Sequence, residues 1–351
     1  MKPESKYSLQ CPIPKSDYDH VMLAHGGGGR LTKQLIDLMF YPLLDSAFLH
    51  QGHDGALLPP IDGEIAMSTD SFVVDPIFFP GGDIGELAVN GTVNDLVCCG
   101  AEPLYISLAF ILEEGFLLDE LWKIVQSIAF SAKTAGVQIV TGDTKVVEKG
   151  KGDKIFINTT GMGRILPQVS IAPENCSAGD AVIINGSIGD HGIAILSERE
   201  GLAFDSGIES DTQALNSMMN DVFGKKPLIH VLRDPTRGGV ASALNEICLA
   251  SGTGIRLFEN QLPVSDGVRG ACEMMGLDPL YIANEGKILV ILPEEDAEEV
   301  VSIMKKHNAG EGSRIIGRVS EDYPDLLHLE TTIGSTRIVD MISGEQLPRI
   351  C

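Results

Sequence analysis

Carboxylates set beside glycine, threonine or asparagine within apolar segments are the groups of this sequence best suited to chemistry. Asp54 stands in Gly52-His53-Asp54-Gly55, and Asp70 ends the apolar run 65–70. Asp95 follows Asn94 in a helical stretch, and Asp143 lies in Thr141-Gly142-Asp143-Thr144-Lys145. Gathered without lysine partners, such groups repel one another unless divalent cations sit between them. Magnesium takes hard oxygen donors and commonly bridges carboxylates to phosphates. Lys145, two residues beyond Asp143, points to the same side of an extended chain, a pairing that suits a nucleotide triphosphate. Two glycine starts add anion-friendly backbone. Gly26, Gly27, Gly28 and Gly29 feed the helical spacing Leu31, Leu35, Leu38 and Met39, and Asp234 and Arg237 flank Pro235 just before Gly238 and Gly239. The first loop lacks P-loop spacing, so a phosphate cradle and a plain hinge both remain open. The last residue is Cys351, a poor contributor to a core because chain ends fray. From Met341 onward, however, an extended tail could carry its sulfur about 30 Å, with Pro348 stiffening the tip.

The elements that must hold these groups read as mixed α and β. Residues 65–70, 137–140, 155–163, 179–186, 288–292 and 314–320 have the short apolar or alternating character of strands. A helix is expected after Asp83, whose side chain can cap it. It contains Asn90, Gly91, Asn94 and Asp95, each costing up to about 1 kcal/mol relative to alanine. A helix that tolerates them is expected to present that face to a polar ligand. Residues 117–135 give a second amphipathic helix ended by Gly136. A boundary falls near Leu166-Pro167, so the chain divides into a leader at 1–22, a first domain at 23–166, a second at 167–335 and a mobile tail at 336–351.

The 351 residues, 44% hydrophobic and 21% charged, are ample for two cores. With 26 basic against 49 acidic residues, the net charge of −23 repels nucleic acid and anionic membranes, which excludes both as partners. No apolar run spans a bilayer and no secretory signal opens the chain, so a cytoplasmic location is expected. Seven cysteines at irregular spacing, including vicinal Cys98 and Cys99, match neither a disulfide framework nor a metal site. His25, His53, His191 and His230 read as loop histidines with local partners.

Taken in order, HGGGGRL, HDGALL, STDSF, GELAVNGTVNDL, GDTKV, DPTRGG, NEGK and a final PRIC resemble the HypE family of hydrogenase maturation proteins. That family lies within the superfamily of aminoimidazole ribonucleotide synthetase, selenophosphate synthetase and thiamine-monophosphate kinase. The resemblance runs from His25 to Cys351. It implies a two-domain α+β fold whose N-terminal domain pairs across a homodimer to form a shared β-barrel, with ATP near that interface. It implies Asp70, Asp95 and Asp143 as ligands of Mg2+, with Asp54, Asp234, Arg237, Asn94, Lys145 and the loop Gly26 to Gly29 around the nucleotide. The implied function is ATP-dependent dehydration of a thiocarbamate on Cys351 to a thiocyanate, for the cyanide ligands of nickel-iron hydrogenase. HypF is the implied carbamoyl donor, and HypC and HypD the scaffold that receives cyanide. A general base is required, for which Glu285 and Lys145 are the candidates because both lie in motifs beside apolar strands. The tail must then move inward for chemistry and outward for loading. Two other readings are a related ATP-dependent synthetase acting on a free small molecule, and a nucleotide-binding scaffold without catalysis.

Overall fold

The computed structural model describes residues 18–201, 207–342, 344 and 349–351. Its first half is built from β1 (Ile65–Phe72), α1 (Ile84–Cys98), β2 (Ala101–Glu113), α2 (Leu118–Ala135), β3 (Gln138–Val147) and β4 (Ile155–Ile165). The strands form one open sheet in the order β1-β4-β2-β3, with β2 and β3 parallel and the other neighbours antiparallel. Alternation along β2 buries Ile106, Leu108, Phe110 and Leu112 on one face. Both helices cover that face, where α2 contributes the stripe Leu121, Ile124, Val125 and Ile128. Gly161 lets α1 lie close, since a Cβ there would come within 2.6 Å of the Thr92 methyl. The opposite face is open, and it leaves Met67 68% exposed.

As the sequence predicts, Asp83 caps α1. Its carboxylate accepts from the Gly85 and Glu86 amides at 2.7 and 3.1 Å and from Ser127 Oγ at 2.6 Å. One expectation changes. The strand expected over 137–140 does not empty into a loop but continues through Asp143 and Lys145 to Val147. Gly142 permits this, because a Cβ there would collide with the Leu108 carbonyl of the neighbouring strand.

The second half packs helices on both faces of a seven-stranded sheet. Its strands are β5 (Asp180–Ile184), β6 (Val231–Arg233), β7 (Gly254–Phe258), β8 (Leu289–Pro293), β9 (Arg314–Ser320), β10 (Leu327–Glu330) and β11 (Thr336–Ile338), ordered β11-β10-β7-β9-β5-β8-β6. Central β5 is buried at every position. It has no polar alternation because both faces are covered. Val182 and Ile184 pack with α3 (Gly239–Ser251) on one side. Ile183 packs with Met219 and Met304 on the other. Glu294, Glu295 and Asp296 open the helix Glu294–Met304, where the helix dipole favours them.

Near both ends of the described residues the chain is tied down. Val21 is buried and donates its amide to Phe116 O at 2.7 Å, while most of the expected leader, 1–17, lies outside the described residues. Within the expected tail, 336–338 form β11, and Ile350 is only 4% exposed in the core of the first domain. The final residues are therefore packed rather than frayed. Pro348 and its expected stiffening role lie outside the described residues.

Candidate functional site at the domain seam

Where the helix face of the first domain meets the second, the carboxylates gather. The register pairs Asp70 with Thr159, a buried residue, so Asp70 points toward α1, and Ser68 two residues earlier donates a short hydrogen bond to Asp95 on α1. Asp234 arrives from the turn after β6, and Cys98 Sγ lies 3.9 Å from its Oδ1. Crowding and burial act together on these acids. Burial, then the neighbouring charge of Asp95, lifts Asp70 to about 6, with Arg237 partly opposing. Asp95 is raised by burial and then by Asp234, and Asp234 is raised chiefly by burial. Asp70, Asp95 and Asp234 are hard oxygen donors with too little positive charge between them, the donor chemistry that Mg2+ takes, although among the described residues they do not converge as a ready three-ligand set.

Glu285 completes the seam. It is 4% exposed, and burial, reinforced by Asp211, Asp234, Asp70 and Asp95, holds its proton affinity well above the usual carboxylate range. Opposite it stands the end of the chain. The Val73 amide donates to Cys351 O at 3.0 Å and the Asp75 amide to Arg349 O at 3.2 Å, so the last three residues lie along 73–75 like an added strand. His191, wholly buried, holds Ile350 O at 2.5 Å through Nε2, while its Nδ1 meets Ser210 Oγ at 2.8 Å. Burial keeps this histidine neutral to lower pH than usual, so Nε2–H is the donor to the carbonyl when Nδ1 accepts from the serine. Arg199 adds bonds to Asp75 O and, at 2.7 Å, to Arg349 O, and Arg349 pairs with Asp153. The Cys351 thiol thus sits where burial and the charge of Glu285 push it up to about 12, with Arg237 pulling the other way.

Other expected site residues lie elsewhere. Asp143 and Lys145 pair with each other at 2.7 Å and are 61% and 63% exposed. Their register partners on β2, Ala109 and Ile111, alternate with the buried Leu108 and Phe110, so both point away from α1. Asp70 and Asp143 also lie on opposite edge strands, three spacings or about 14 Å apart. In one protomer, therefore, Asp143 does not join Asp70 and Asp95, and no three His, Cys, Asp or Glu among the described residues stand placed to hold a metal. Asp143 and Lys145 instead line a cavity of about 230 Å3 with Gly26, Gly28, His53 and the apolar Phe40 and Phe110. Gly28 turns left-handed at φ 75° and gives its amide to Thr32 Oγ1 at 3.0 Å. Asp54 is exposed beside this cavity, and Gly27 and Gly29 complete its loop.

Asn94, expected beside the nucleotide, is engaged across the domain seam. Its side-chain amide donates to Gln213 O and Glu285 O at 3.0 and 3.2 Å, and its carbonyl accepts from the Leu215 amide at 2.9 Å. The polar partner that α1 meets here is the second domain itself, which takes both amide hydrogens of Asn94 and one lone pair of its oxygen. Residues that sequence reasoning passed over include His191, read as a loop histidine, Arg199, Asp211 and Lys287. Only Lys287 sat inside a quoted motif.

This fold and seam define the class. Residues 52–165 match the family model described as AIR synthase related protein, N-terminal domain, and 177–326 match its C-terminal domain. The chain belongs to the AIR synthase related family and, within it, to the HypE hydrogenase maturation proteins. It is 50% identical to the carbamoyl dehydratase HypE of Azotobacter vinelandii, over 94% of this chain and 97% of that one. A crystal structure of HypE in complex with ATP superimposes with TM-score 0.91 at 47% identity, covering 94% of this chain and 99% of that one. The structure of a HypE-HypF complex matches with TM-score 0.78 at 49% identity, covering 88% of this chain and 99% of that one.

Proposed function

We infer that this chain is an ATP-dependent carbamoyl dehydratase acting on a group carried by its own Cys351. The observation that supports it most is the docked tail, which sets the Cys351 thiol against Glu285, Asp70 and Arg237. An anionic sulfur is disfavoured there, whereas a neutral S-carbamoyl group is not. The net change is R–S–C(O)NH2 plus ATP to R–S–C≡N plus ADP and phosphate. The carbamoyl C–O bond breaks, its oxygen leaves on phosphate, and the nitrogen gives up two protons. When bound, ATP would supply the phosphoryl group that makes that oxygen a leaving group, and Asp70, Asp95 and Asp234 would hold the Mg2+ that offsets its charge. Glu285 takes a proton from the carbamoyl nitrogen, a role its raised proton affinity suits. Arg237 balances charge beside the sulfur.

Lys145 remains the second candidate base, and with Asp143 it enters from a partner protomer. The open sheet face that exposes Met67 supports a homodimer in which two such sheets close into a shared barrel. HypF is the natural donor of the carbamoyl group, with HypC and HypD receiving the cyanide. The six described free cysteines and the absence of a membrane-crossing helix among the described residues suit a reducing cytoplasm. Intact-mass analysis after incubation with HypF, carbamoyl phosphate, ATP and magnesium tests the reaction. It should show a carbamoyl adduct on the C-terminal peptide followed by loss of one water. A Cys351 that stays unmodified would sink the reading.

A further inference from the structure

Glu285 Oε1 is buried without a hydrogen-bond partner among the described residues. A carboxylate held so loosely at its tip takes its aim from its backbone. That backbone is gripped by Asp211, whose Oδ1 accepts from the Glu285 amide at 3.1 Å and whose Oδ2 lies 2.9 Å from Lys287 Nζ. The pair is almost wholly buried, at 5% and 7% side-chain exposure. Between the two anchored residues Gly286 fits flush, since a Cβ there would collide with the Asp211 carbonyl. The Gly286 carbonyl in turn accepts from Asn185 Nδ2 at 3.1 Å and Gln213 Nε2 at 3.3 Å. One carboxylate thus clamps the loop on both sides of the proposed base.

We propose that Asp211, ion-paired with Lys287, is the positioning residue that aims Glu285 at the group carried on Cys351. This rests on the reading of Glu285 as the base. Buried ion pairs contribute little net stability, because desolvation offsets their attraction. Placement is what this one supplies: Oδ1 fixes the Glu285 amide, the Asp211 carbonyl presses on Gly286, and Oδ2 sits against the Lys287 ammonium as an ion-pair contact, while a displacement of about 1 Å at a reacting group can cost about 100-fold in rate.

The test uses the full-length carbamoylated protein with ATP and magnesium, following single-turnover loss of water by mass spectrometry beside the KM for ATP, carbamoyl loading and thermal midpoint. Asp211→Ala is expected to slow water loss about 100-fold, with the KM for ATP within about threefold and loading unchanged. Asp211→Asn keeps an oxygen for the Glu285 amide, so it should recover about tenfold of that loss, and Lys287→Met should be slower than Asp211→Asn. A folded Asp211→Ala protein with wild-type rate overturns the proposal. So does a loss of rate, loading and ATP affinity in step with the thermal midpoint and without rescue by asparagine. If the alanine variant does not fold, the asparagine and Lys287→Met variants decide, and wild-type rates in both overturn it. Glu285→Gln in the same assay separates the two levels. Wild-type water loss in that variant removes the base itself, whereas a slow Glu285→Gln beside fast Asp211 variants removes only the positioning role.

Discussion

At the scale of single residues, the seam shows how environment turns ordinary acids into a site. Asp70, raised to about 6 by burial and by Asp95, binds its proton more tightly folded than unfolded. Because the folded state then holds more protons between about pH 4 and 6, stability should fall as pH rises through that window. Asp70→Asn should flatten that part of a urea-stability profile measured against pH. Magnesium should raise the wild-type midpoint more at pH 7.5 than at pH 5, because the carboxylate it would meet is ionised only at the higher pH. Asn94 makes a different point. Cutting it to alanine strands two buried backbone groups, at residues 215 and 285, each costing about 1–3 kcal/mol when left unpaired, and a half-buried one at 213 that water can reach. The variant should lose stability in denaturant melts, while a role in nucleotide contact would instead appear as weaker ATP binding with unchanged stability.

At the scale of elements, the final segment lying along 73–75 is the part whose release the proposed loading of Cys351 requires. Its hold depends on the His191 and Arg199 bonds to Ile350 O and Arg349 O and on the burial of Ile350. While docked, the Cys351 thiol is pushed up to about 12 and so is inert as a nucleophile at neutral pH. Once released it regains the ordinary thiol range. His191→Ala should therefore speed alkylation of Cys351 by iodoacetamide at least about tenfold at pH 7.5. Peptide mass spectrometry reads this directly, with the buried Cys248 as an internal control. Unchanged alkylation would mean that His191 does not hold the tail. The length of β3 matters at the same scale, because its continuation through Gly142 carries Asp143 and Lys145 out onto the open face of the sheet.

At the scale of the molecule, the first domain leaves much of one sheet face exposed, although Phe48 packs against Tyr105 on it. Met67 and Ile111 lie on it at 68% and 43% exposure, an apolar surface that a second copy would cover. Sedimentation should show a homodimer, and Met67→Asp should shift it to monomer with loss of ATP turnover. A Met67→Asp variant that stays dimeric would place the interface elsewhere. A monomeric wild-type protein with full turnover would leave Asp143 and Lys145 outside the catalytic seam.

Much of this was legible from local order. The apolar runs of β5 and β8, the Asp83 cap, the acidic opening of the helix Glu294–Met304 and the motif residues Asp70, Asp95, Asp234 and Glu285 all carry short-range signals. Binary pattern and capping chemistry act over a few residues, so sequence alone determines them. Which groups would meet was a different matter. Sheet register sent Asp143 and Asp70 to opposite faces, and the meeting of two domains consumed Asn94. A contact 159 residues distant in the chain, His191 to Ile350, brought the terminal thiol into the core. Asp211 has no local signature at all, because its partners at 285 and 287 arrive from another loop. Residue types and spacing determined what chemistry the chain can perform. Long-range packing, where burial and register set each group's neighbours and charge, decided where that chemistry is assembled.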